Sequence, residues 1–214
     1  MLYDAPAWIS KWSLSSGSLT NFQIYGGTWS SVGLSSEEAG KFGDELDLFA
    51  GIRKKIGHFV FDVSGAYFIL GDWDKSRDDR VIFDTQIDYV GLRVVEPYVA
   101  VRYFGTTSDA IRDGWFFWIG LKRKHHIATS PFAEREIFLN VNGSLAFATE
   151  RSFGREGGFI FARIQTTLDI PLSKHISLCP TYMVQIPSGD QTGRTGDFTD
   201  GIHHIWGGFL SAKW

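Results

Sequence analysis

The residues best able to do chemistry in this chain come in short pairs. His125-His126 and His203-His204 are adjacent imidazoles. Asp84 with Asp88, and Glu45 with Asp47, are carboxylates on a shared parity, and Ser211 shares a parity with His203. Two imidazoles can ligate a metal, two carboxylates can divide the roles of acid and base, and a serine near a histidine can be a nucleophile. Geometry argues against each of these. Neighbouring residues on a strand point to opposite faces, so neither histidine pair chelates from a regular strand. Both pairs lie near predicted strand ends, where a loop would have to redirect them, and ordinary interfacial histidines are the simpler reading. Ser211 and His203 are eight residues apart, roughly 25 Å along a strand, too far to be partners. The Gly-rich run 188–196 lacks the lysine and the following helix of a phosphate loop, and no Cys-x-x-Cys or His-Glu-x-x-His is present. The carboxylate pairs fit an internal salt-bridge network better than a catalytic dyad. No catalytic residue, metal ligand or cofactor is expected.

The elements that would carry these residues are strands. In Glu45-Leu46-Asp47-Leu48-Phe49-Ala50-Gly51-Ile52-Arg53, the even positions are apolar and the odd ones include three charges. A period of two marks a strand with two unlike faces. The pattern recurs over spans near 19–33, 44–54, 58–70, 81–92, 95–104, 115–125, 135–148, 158–170, 174–186 and 202–214. Most are long enough to cross a bilayer when tilted, and longer than the five or six residues usual in a soluble strand. The apolar parity (Leu46, Leu48, Ile52; Phe59, Phe61, Val63; Ile137, Leu139, Val141; and its equivalents) contains no Lys, Arg, Asp or Glu. That holds between the first and last apolar member of each set; extending the sixth strand outward meets Arg123, at its end. A lipid-facing Arg or Lys at mid-membrane would cost about 2–4 kcal/mol, a physical reason for that exclusion.

The opposite parity carries Glu45, Asp47, Arg53, Asp62, Asp84, Asp88, Glu96, Arg102, Lys122, Glu136, Arg163 and Asp169, with Gln86, Asn140, Asn142 and Gln165 among them. These are the expected lining of a polar lumen, where acids and bases would pair across strands. Phe49, Tyr98, Phe104, Phe116, Trp118, Phe138 and Phe161 share that inward parity, so a wide aqueous pore is not expected. Aromatics at strand ends, Tyr67, Tyr103, Trp115, Phe147, Trp206 and Trp214, suit interfacial girdles. Pro97 and Pro180 fit poorly, since each removes a ladder donor.

The expected fold is therefore all-β: an antiparallel up-and-down transmembrane β-barrel of about ten strands over residues 19–214, with twelve as the alternative. Connections 34–43, 71–80, 105–114, 149–157 and 187–201 are long, whereas 55–57, 93–94 and 171–173 are short. This alternation is expected of extracellular loops and periplasmic turns, and ten strands would put both ends of the meander at the periplasmic side. Residues 1–18 are read as a periplasmic arm or partial plug, although Trp8, Ser10, Trp12 and Leu14 alternate too. The reason is that an eleventh strand would give the odd count that single-chain bacterial barrels avoid.

No run approaches the 18 apolar residues of a membrane helix. A net charge of −3 gives no electrostatic footprint for nucleic acid, and the single Cys179 permits no internal disulfide. Met1-Leu2-Tyr3-Asp4-Ala5-Pro6 has none of the parts of an export signal. Either the signal has been replaced, or the chain is truncated, or the protein is not exported. The cluster Lys122-Arg123-Lys124-His125-His126 falls at the periplasmic end. There a solvated turn is the plain reading and anionic headgroups or a periplasmic partner the alternative.

The ending His203-His204-Ile205-Trp206-Gly207-Gly208-Phe209-Leu210-Ser211-Ala212-Lys213-Trp214 resembles the terminal strand of Gram-negative outer-membrane barrels. Together with Ile24-Tyr25-Gly26-Gly27-Thr28-Trp29-Ser30-Ser31 and Glu45-Leu46-Asp47-Leu48-Phe49-Ala50-Gly51, it resembles the TorF-type putative porin family over about half of the chain. The resemblance implies an outer-membrane barrel, delivered by the outer-membrane insertion machinery and embedded in that bilayer. It hands over no catalytic residues. The function expected is an integral outer-membrane protein, structural or a narrow porin-like channel, and not an enzyme. One alternative is a barrel enzyme that modifies lipid or surface polymer. Another is a soluble lipocalin-like barrel, in which the apolar parity would face inward around a ligand.

Overall fold

The computed structural model describes residues 7–17, 22–33, 45–70, 80–106, 113–149, 157–188 and 202–212. They form eleven strands: β1 (Ala7–Gly17), β2 (Gln23–Gly33), β3 (Glu45–Ile56), β4 (Phe59–Leu70), β5 (Arg80–Tyr89), β6 (Glu96–Thr106), β7 (Gly114–Thr129), β8 (Glu136–Ala148), β9 (Gly158–Pro171), β10 (Ile176–Pro187) and β11 (His203–Ala212). Each pairs antiparallel with its neighbours in chain order, giving one sheet. The sheet curls until Cα atoms of β1 and β11 come within 8 Å of each other, so the fold is barrel-like. No helix occurs among the described residues.

The expectation of ten strands is corrected to eleven. Residues 7–17 are not an arm or plug. They pair with β2 along their whole length, from Ala7 opposite Gly33 to Gly17 opposite Gln23. The alternation at Trp8, Ser10, Trp12 and Leu14 was the stronger signal, and the even-count rule the weaker. The count also changes the ends: β1 and β11 run in the same direction, so Ala7 and Ala212 sit at opposite rims.

The two parities take the faces that their chemistry demands. Ile24, Leu48, Ile52, Phe61, Val63, Phe83, Val99, Phe117, Ile119, Leu145, Ile164 and Leu178 are all exposed, Phe83 to 59%. On the other parity, Asp47, Asp62, Asp88, Ser144 and Gln185 are buried, alongside Val60, Ile82, Tyr98, Ala146 and Cys179. This is the reverse of a soluble fold, where large apolar side chains are the ones most often buried. It is also the reverse of the inward apolar face that a lipocalin-like barrel requires.

The short connections lie at one end. The tightest is the two-residue hairpin between Ile56 and Phe59, where Gly57 at φ +59° fills the first central position, as a type II′ turn requires. The β7–β8 connection is more elaborate. The hydroxyl of Ser130, a buried residue, donates to the Pro171 carbonyl at 2.6 Å, and Arg135 Nη1 donates to the Lys174 carbonyl at 2.8 Å. One turn is thereby tied to the next.

β7 runs four residues past its expected end, to Thr129. His125 and His126 are consequently within a strand, opposite Leu139 and Phe138, with a register shift just beyond them. Both prolines sit where a ladder has a gap. The β5 ladder ends at Tyr98, one residue after Pro97, and the β9–β10 pairing skips Cys179 and Pro180. Each missing N–H therefore leaves no carbonyl waiting for it in an otherwise continuous ladder.

Candidate functional site

The inner face holds a cavity of about 270 Å3, reached from Tyr25, Asp62, Ser64, Asp84, Gln86, Tyr98, Arg102, Trp118, Asn142 and Arg163 among others. Its walls come from β2 and β4 through β9, and the register of those strands sets what meets what.

Arg53 on β3 stands directly opposite Asp62 on β4. Its Nε donates to Asp62 Oδ2 at 2.7 Å, and its Nη2 makes a second, shorter bond to the same oxygen. The other carboxylate oxygen accepts from the Tyr25 hydroxyl at 2.5 Å. Tyr25 reaches it by lying across β3 over Gly51, its direct partner in register. A Cβ at Gly51 would fall 2.5 Å from the end of the Tyr25 ring, so the crossing needs glycine there. The Arg53 guanidinium also lies 5.4 Å from the Tyr25 ring centre.

A second tyrosine repeats the device. Tyr98 on β6 faces Gly120 on β7, where a Cβ would lie 2.5 Å from the ring and 2.6 Å from the Gly143 carbonyl oxygen. Its hydroxyl donates to Asn142 Oδ1 on β8 at 3.0 Å. Lys122 passes 4.6 Å from its ring centre and reaches over β6 to Asp88 on β5, at 2.5 Å. Gln86 donates to both Asp88 oxygens, at 3.0 and 2.9 Å. Beside this cluster, Arg102 on β6 grips Asp84 on β5 in a two-pronged pair, both contacts at 2.5 Å. Bidentate guanidinium–carboxylate pairs are the strongest of their kind.

Six of the expected lumen residues are thus brought into three ion pairs: Arg53–Asp62, Arg102–Asp84 and Lys122–Asp88. Asp84 and Asp88 are engaged by different cations rather than by each other, which is a salt-bridge network and not a dyad. Asp47 is buried and Arg163 lines the cavity. Glu96, Glu136 and Asp169 lie toward the turn end and join none of these pairs; the Cys179 thiol approaches an Asp169 oxygen at 4.0 Å. The Glu45 side chain lies outside the described residues. Tyr25 was missed as a lumen residue. Its odd parity beside Gly27 was visible, but its partner Gly51 only becomes apparent once the register is known.

Five of the six girdle aromatics, Tyr67, Tyr103, Trp115, Phe147 and Trp206, fall toward the rim of the long connections. Tyr103 packs on Trp115 with ring centres 5.0 Å apart, and Phe147 on Phe159 at 5.7 Å. Trp206 packs on Tyr182 at 4.2 Å and is 72% exposed. Trp214 lies outside the described residues. At the turn rim a second aromatic contact, Phe59 with Tyr89 at 5.2 Å, went unanticipated.

Comparison with models of protein families, with curated proteins and with solved structures returned no match. The likeness to the TorF-type porins accordingly rests on the residue runs quoted above.

Proposed function

We infer that this chain is an integral β-barrel of a bacterial outer membrane, structural in its outer wall and a narrow conduit within. The observation that carries the reading is the inside-out distribution of side chains. Large apolar groups are exposed on one face of nearly every strand, while the other carries buried carboxylates paired with guanidinium and ammonium groups. In water, an apolar surface of that extent would drive aggregation. Against acyl chains it is the favourable face, and the charges within satisfy one another. Strands of ten to sixteen residues are long enough to span the hydrocarbon. The aromatic contacts at both rims suit headgroup-level anchoring. The approach of β1 to β11 supports closure of the wall, which would leave no open strand edge facing lipid.

Tyr25, Tyr98, Trp118 and the ion pairs obstruct the lumen, so the conduit would pass ions or very small solutes rather than large ones. Two measurements on purified protein test the reading. A folded form that needs detergent and migrates faster on gels before heating than after is the expected result, as are small unitary conductance steps in a planar bilayer. A chain that stays monodisperse in plain buffer would remove it.

A further inference from the structure

The inner face is neutralised unevenly. Around the cavity, Asp62 is taken by Arg53 and Tyr25, and Asp84 by Arg102. Arg163 lines the same space on β9, yet among the described residues no carboxylate lies within ion-pair distance of it. Its polar neighbours are the Tyr98 hydroxyl, a neutral group, and the Arg102 guanidinium, which repels it. Among the described residues its Nε has no acceptor, and neither does the indole N–H of Trp118, another donor lining the cavity. The Ser144 hydroxyl, directly opposite Arg163 in register, is also without a partner.

An enclosed cation left without a counter-charge is costly, and a charge-assisted bond from a bound anion would relieve that cost. The cavity has several times the roughly 30 Å3 that one water occupies in the liquid, room enough for a small oxyanion with part of its hydration.

We propose that the lumen holds a binding site for a small oxyanion of the phosphate or sulfate class, centred on Arg163, and that this site makes the conduit anion-selective. The selectivity rests on the channel reading above; the binding site does not. Arg163 would supply the charge and Trp118 a neutral donor, with Ser144 opposite Arg163 in register and Arg102 across the cavity still paired with Asp84.

Calorimetric titration of inorganic phosphate into the detergent-solubilised chain tests the site, and the reversal potential in a potassium chloride gradient tests the selectivity. The unaltered protein should bind phosphate saturably and give a reversal potential of the anion-selective sign. Arg163→Gln should weaken binding at least tenfold and move the potential toward zero, while Arg163→Lys should restore part of both. Asp84→Asn, which releases Arg102 from its carboxylate, should act in the opposite direction and tighten binding. That second variant keeps the test decisive if Arg163→Gln does not fold. Absence of phosphate binding by the unaltered chain, or equal binding by Arg163→Gln, would overturn the proposal, as would weaker binding by Asp84→Asn. Phosphate binding without conductance would uphold the site and sink the channel. Conductance without phosphate binding would do the reverse.

Discussion

The chain crosses a glycine with a tyrosine twice, and the two crossings end differently. On one side of the lumen, Tyr25 passes over Gly51 and donates a hydrogen bond to Asp62, a carboxylate already held by Arg53. On the other, Tyr98 passes over Gly120 and donates to Asn142, a neutral amide, with Arg163 close by and, among the described residues, no acid paired with it. The mechanical role is the same: a flat ring laid across a strand braces the inner wall where no side chain stands. The electrical result is not. The Tyr25 side is closed upon itself, whereas the Tyr98 side leaves a positive charge facing the cavity. The first arrangement serves stability, and the second keeps a capacity to bind.

The largest expected effect separates the two glycines. Gly120→Ala would drive a methyl to 2.6 Å from the Gly143 backbone oxygen, which cannot rotate away, so a loss of about 3 kcal/mol or failure to fold is expected. Gly51→Ala meets the end of the Tyr25 ring at 2.5 Å, which can swing aside, and Ser64 Cβ at 2.8 Å, which its backbone holds, and should cost somewhat less, about 2 kcal/mol. Thermal unfolding in detergent, followed by the gel shift of the folded form, would measure both. Equal losses would erase the distinction.

The next effect concerns the acid. Asp62→Asn strips the counter-charge from Arg53 and should cost about 2 kcal/mol by the same assay. Smaller again are the hydroxyls. Tyr25→Phe removes a bond to a carboxylate and should cost about 1.5 kcal/mol, and Tyr98→Phe removes a neutral one and should cost nearer 1 kcal/mol. Reversal of that order would mean that the Tyr98 side is the more tightly built. Arg163→Gln should leave stability unchanged or raise it slightly, because it breaks no ion pair and removes an enclosed cation that lacks a counter-charge. A large loss there would show that the unpaired cation has a structural duty.

Most of the wall was legible in the sequence, because parity is a local property. Leu46, Leu48 and Ile52 mark one face whatever strand lies beside them, and Arg53 and Asp62 mark the other, although alternation alone fits either face turned outward. The partners were not legible. Register depends on where each turn closes, and a shift of one residue changes every cross-strand neighbour. Hence Arg53 and Arg102 could be assigned a parity but not their acids, and Lys122 could not be seen to reach two strands away to Asp88. Tyr25 was overlooked for the same reason, since its function depends on Gly51 lying opposite. The first strand was overlooked for another. Its alternation from Trp8 to Leu14 was visible and was set aside for a counting rule that this fold does not obey.

The odd tally of strands has a practical corollary. Since β1 and β11 point the same way, a peptide epitope grafted ahead of Ala7 and one grafted after Ala212 would be carried at opposite rims of the sheet. If the proposed outer-membrane placement holds, an antibody on intact cells should label only one of them, and rupturing the envelope should reveal the other.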